Sequence, residues 1–121
     1  MAGAPIAGYV EPAARANCKG TPAEVVIHGI NDNLKNGQAG RDLYAERNGC
    51  PTPPANLAAT EAMILAAFNA KEKKFACVDY AGCTKNPVRY CVHSEPLYAG
   101  NTHGWPDTGG QMVADFLATL K

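Results

Sequence analysis

The chain has 121 residues, enough for one domain with a real core, and a hydrophobic content of 46%, ordinary for a globular protein. Lys+Arg and Asp+Glu both number 11, so net charge favours neither nucleic acid nor an anionic membrane, and the basic run Lys71-Glu72-Lys73-Lys74 reads as a solvated helix end. No apolar run approaches the ~20 residues that span a bilayer.

Residues 1–23 form a loop-rich lead-in of Ala, Gly and Pro. Its first ten residues are too short and uncharged for a signal peptide and read as the tail of a strand plus a loop, with a turn of helix expected at 12–16. Val25, Val26 and Ile27 are β-branched with no polar face, which predicts a strand over 24–29 buried on both sides of a parallel sheet. A turn follows at once: Gly29 supplies backbone freedom, and Asn31 and Asp32 close turns through their side chains.

A helix is predicted over 36–48, with Ala39, Leu43 and Tyr44 on its packed side, Arg41, Glu46 and Arg47 largely elsewhere, and Gly49 as its C-terminal stop. Pro51 to Pro54 must be extended. A second helix over 56–71 carries Leu57, Ile64, Leu65 and Phe68 at helical spacing. A short strand over 75–80 leads through a turn at Gly82 to a strand over 88–93, where Val88, Tyr90 and Val92 alternate with Arg89, Cys91 and His93. In the last helix Thr108 and Gln111 are spaced for a capping box, and Met112, Val113, Phe116, Leu117 and Leu120 make an apolar stripe. Helices alternating with strands give the α/β class, as one domain over 1–121.

Five cysteines are many for a reducing compartment. Cys77, Cys83, Cys91 and His93 have no tight C-x2-C pair, so zinc is the weaker of two explanations, and no metal is expected. Disulfides in a secreted, extracellular protein are the stronger. Four cysteines permit three connectivities; the expected pairs are Cys77–Cys83, closing a small loop, and Cys50–Cys91, tying a helix end to a strand. Cys18 is then left over, free to pair with a part of the protein outside this chain.

Open α/β sheets present functional groups at the carboxyl ends of their strands. Asp32 follows the buried strand there, and His103 lies in Thr102-His103-Gly104-Trp105-Pro106, between the later strand and the last helix. A carboxylate and an imidazole so placed are two members of an acyl-transfer triad. The third is missing. The one serine, Ser94, sits in Val92-His93-Ser94-Glu95-Pro96 without the glycines of a nucleophile turn, and reads as a turn residue. His28 and His93 read as structural, and Trp105 as a packing residue or a substrate platform.

Val26-Ile27-His28-Gly29-x-x-Asp32, Tyr44-Ala45-Glu46-Arg47-Asn48-Gly49-Cys50, Pro87-Val88-x-Tyr90-Cys91 and Thr102-His103-Gly104-Trp105-Pro106 resemble, in that order, the C-terminal half of secreted α/β-hydrolase esterases of the feruloyl esterase and polyhydroxybutyrate depolymerase-like group. The resemblance runs from about residue 20 to the end; residues 55–76 match less well and look like an insertion. It implies a partial α/β-hydrolase fold: the C-terminal strands and helices of a mostly parallel, disulfide-containing sheet. It also implies a feruloyl esterase-type carboxylic ester hydrolase acting on hydroxycinnamoyl esters of plant cell-wall polysaccharide. His103 would be the base, Asp32 its orienting acid, and Trp105 and Tyr98 substrate contacts. No cofactor is needed. The nucleophile serine and oxyanion hole would lie outside this chain, on an N-terminal half that Cys18 could bind covalently. The alternatives are an inactive fragment and a small secreted carbohydrate-binding module.

Overall fold

The computed structural model describes residues 2–3, 19–97 and 100–120; Cys18, Tyr98 and the helical turn expected at 12–16 lie outside the described residues. The elements are β1 (Ala2–Gly3), β2 (Ala23–Gly29), α1 (Leu34–Arg47), α2 (Leu57–Asn69), β3 (Phe75–Asp79), β4 (Val88–His93) and α3 (Gly109–Leu117). Every residue of β2 is buried, as a run of β-branched side chains with a helix layer on each side requires.

The sheet order is β1-β2-β4-β3. β2 runs parallel to β1 and to β4, whereas β3 is antiparallel to β4. Since β1 contributes only 2 residues, the working sheet is a mixed one of three strands. This corrects the expectation of a mostly parallel, hydrolase-type sheet. The cause is the short connection between β3 and β4: a parallel pair needs a crossover of about a dozen residues or more, and a tight loop can only fold the chain back on itself.

The two faces of the sheet carry separate cores. On one, Val26, Tyr90, Val92 and Val78 pack with Ile64 of α2 and Ala45 of α1; on the other, Val25, Ile27 and Cys91 pack with Met112 and Phe116 of α3. Leu65 and Leu117, expected on packed stripes, are instead exposed. Arg41, expected away from the packed side, is buried: its guanidinium lies 5.0 Å from the Tyr90 ring centroid and reaches Asp42 at 2.8 Å and Glu61 of α2 at 3.5 Å. Glu24 of β2 is also buried, and loss of hydration pushes its carboxyl up to about 7.

Helix α1 ends as its sequence suggests. Gly49 takes φ +65°, its N–H donates to the Glu46 carbonyl, and the Cys50 N–H reaches the Ala45 carbonyl at 2.9 Å; this is a Schellman closure, which favours a residue without Cβ. The preceding Asn48 is fully buried and joins two other segments, donating from Nδ2 to the Pro22 carbonyl at 2.9 Å and accepting the Asn86 N–H at 3.4 Å. The capping box does not form at α3. Gln111 bonds Asp115, and Thr108 at the N-cap makes no side-chain cap bond.

The four cysteines expected to form bridges do so, but in other pairs: Cys50–Cys83 and Cys77–Cys91. Register decides this. Cys77 and Cys91 face each other across the antiparallel β3–β4 pair, which leaves Cys83 in the connecting loop for Cys50 at the end of α1. Among the described residues, no helix is long and apolar enough to cross a membrane.

In the chain-entropy account, loops of this size contribute about 3 to 4 kcal/mol each. Replacing both Cys77 and Cys91 by Ala should therefore lower the unfolding free energy by about 3 kcal/mol in urea titration, and non-reducing peptide mapping should recover Cys50 with Cys83. Recovery of Cys50 with Cys91 would contradict the fold.

Candidate functional site

β2 and β4 lie side by side in parallel, with His28 opposite Val92 and Gly29 opposite His93. Their carboxyl ends therefore open into two neighbouring loops. The first, after β2, is the turn in which the Asp32 N–H returns to the Gly29 carbonyl at 3.1 Å. The second, after β4, carries His103. The structure brings the two together: His103 Nδ1 is 2.9 Å from Asp32 Oδ2. A carboxylate oxygen accepts, so Nδ1–H is the donor, and the imidazole is held in the tautomer that leaves Nε2 with a free lone pair.

Exposure divides the pair unequally. The Asp32 side chain is 16% exposed and that of His103 55%. The acid is thus mostly enclosed, while the base meets solvent and any incoming group.

His28, read from the sequence as structural only, is part of this cluster. It is fully buried, its Nε2 lies 2.6 Å from the Asp32 backbone carbonyl, and the same nitrogen is 3.7 Å from Asp32 Oδ2. It braces the Asp32 turn from below. Helix α1 can pass directly over it because residue 37 is glycine: a Cβ there would collide with the imidazole. The only hint in the sequence was a histidine ending an otherwise apolar strand.

The loop after β4 is held at several points. The Thr102 N–H donates to Asn101 Oδ1 at 2.6 Å, and the Leu97 N–H to the Asn101 carbonyl at 2.7 Å. Glu95, 3% exposed, accepts the Asp107 N–H at 3.0 Å and lies 3.3 Å from Lys73 Nζ. Trp105 is 53% exposed and rests its ring against the backbone of Gly109 at the start of α3. What requires glycine at position 29 is room for this loop, since a Cβ would strike Thr102.

Ser94 is not available as a nucleophile. It is buried, its hydroxyl donates to the Glu72 carbonyl at 2.5 Å, and it accepts the Lys74 N–H at 2.8 Å. It fastens the lead-in of β3 to the end of β4. The zinc alternative fails on chemistry, because the sulfurs of Cys77, Cys83 and Cys91 are all engaged in disulfides. Among the described residues, no group of His, Cys, Asp and Glu is placed to hold a metal ion.

No protein-family model matches the chain, and no curated protein matches it. The chemistry is accordingly argued from the geometry.

His93 is wholly buried on the α3 side of β4, and neither ring nitrogen has a hydrogen-bond partner among the described residues. Burial, and to a lesser extent the nearby His28, lower its pKa from 6.5 to about 4 against the opposing effect of Asp32. Between pH 6.5 and 4 the unfolded chain binds a proton that the folded chain refuses, so His93 makes stability fall as pH falls through that window. Glu24 does the reverse. Between its ordinary 4.5 and about 7 the folded chain holds a proton that the unfolded chain has lost, so its contribution falls as pH rises. The two slopes oppose each other where the windows overlap. Glu24→Gln should therefore be more stable than wild type above pH 7 and should expose the acid limb due to His93, by up to about 1.4 kcal/mol per pH unit. His93→Leu should abolish that limb. Urea titrations at a series of pH values test both, and a limb that survives in His93→Leu would assign it to another group.

Proposed function

We propose that this chain supplies the acid–base part of a serine-type carboxylic ester hydrolase of the feruloyl esterase type. The observation that carries the reading is the 2.9 Å bond between His103 Nδ1 and Asp32 Oδ2, formed by two loops at the ends of adjacent parallel strands. Asp32 fixes the tautomer and stabilises the imidazolium. His103 Nε2 takes the proton of an attacking hydroxyl and later returns it to the leaving alcohol. Because Ser94 is occupied by backbone partners, the attacking serine and the oxyanion donors belong to a segment outside these 121 residues. The two disulfides fit an oxidising, extracellular setting, which is where an enzyme of plant cell-wall esters would work.

The test is hydrolysis of methyl ferulate and of a nitrophenyl ester by the protein that includes the serine segment. Asp32→Asn and His103→Ala should each lower kcat by about a thousandfold to ten-thousandfold, and the 121-residue chain alone should give no turnover. Variants that retain wild-type rates would end the hydrolase reading. Turnover by the isolated chain would show that the nucleophile is in fact present in it.

A further inference from the structure

We propose that Thr102 is a positioning residue for the Asp32–His103 pair, coupling the two loops through its buried hydroxyl; the inference rests on the acid–base reading above. Thr102 is 0% exposed although it adjoins the half-exposed His103. Its Oγ1 accepts the backbone N–H of Asn31 at 2.8 Å. Asn31 directly precedes Asp32, as Thr102 directly precedes His103. One hydrogen bond therefore joins the residue before the acid to the residue before the base, across 71 positions of sequence.

Other features show that the contact is built. Gly29 leaves the space that the Thr102 backbone and side chain occupy, since a Cβ there would overlap both. The Thr102 N–H is separately bound by Asn101 Oδ1 at 2.6 Å, so the backbone that presents the hydroxyl is fixed. No other hydrogen bond among the described residues links residues 30–32 to residues 102–107, apart from the Asp32–His103 bond itself. Without the threonine hydroxyl, that exposed bond would be the one hydrogen bond left between these two segments among the described residues. Val at 102 would keep the shape but take away the acceptor of the Asn31 N–H.

The consequence for chemistry is the tautomer. A free neutral imidazole favours the proton on Nε2, the form unable to act as base at that nitrogen; Asp32 enforces Nδ1–H only while the two loops stay in register. A purely structural role for Thr102 would change stability and leave the tautomer as it is.

The experiment is long-range 15N–1H NMR on the 121-residue chain, which reads the protonated nitrogen of His103 directly. Wild type and Thr102→Ser should show Nδ1–H, and Thr102→Val should shift towards Nε2–H. In the serine-bearing protein Thr102→Val should cost about a hundredfold in kcat with KM little changed. A folded Thr102→Val that keeps the wild-type tautomer overturns the proposal, as does Thr102→Ser losing it to the same extent as Thr102→Val. Hydrogen exchange of the Asn31 amide in wild type decides the matter even if Thr102→Val does not fold: protection of tenfold or more is expected, and an unprotected amide overturns it. A threonine-dependent tautomer without any ester hydrolysis by the serine-bearing protein would sink the hydrolase reading alone. Hydrolysis accompanied by a threonine-independent tautomer would sink only the positioning role.

Discussion

The parallel pairing of β2 with β4 is the constraint on which everything else depends. Because the strands run the same way and end at the same level, the chain must leave both at one rim of the sheet. Segments far apart in sequence become neighbours without any contact having to be formed between flexible ends. Burial supports the pairing: β2 and β4 have no exposed residue, and only Arg89 of β4 is less than fully buried, so sliding either strand by one position would turn a row of Val, Ile and Tyr onto the wrong face.

Above that rim the molecule mixes enclosed and open chemistry. The acid and two of the three histidines are shielded, while the third histidine reaches into solvent. Shielding carries a cost, visible in His93, whose ring is buried with both nitrogens unpartnered among the described residues. Glu24, buried near the opposite end of β2, is a second group whose charge burial disfavours. The two disulfides, which restrict the unfolded state, offset costs of this kind.

Much of this was legible in the residues. Three consecutive β-branched side chains announced β2, the alternation from Val88 announced β4, and Gly49 announced the end of α1. Asp32 and His103 stood out because each is a functional group in a turn between regular elements. Their contact could only be expected, not read, since it depends on which strands become neighbours. Sheet direction and disulfide pairing share that dependence: Cys77 finds Cys91 because of an antiparallel register that no local pattern encodes. His28, Arg41 and Thr102 were hidden for a related reason. Each is ordinary in its local sequence and acquires a role only from what tertiary packing sets beside it.

The Cys50–Cys83 bridge has one further effect. Residues 51–53, 55 and 56, between α1 and α2, are exposed, the kind of stretch that proteases find first. Cleavage there would put Asp32 on one piece and His103 on the other. Both pieces would still be held covalently by that bridge and by the β2–β4 ladder, so a broken backbone need not separate the acid from the base.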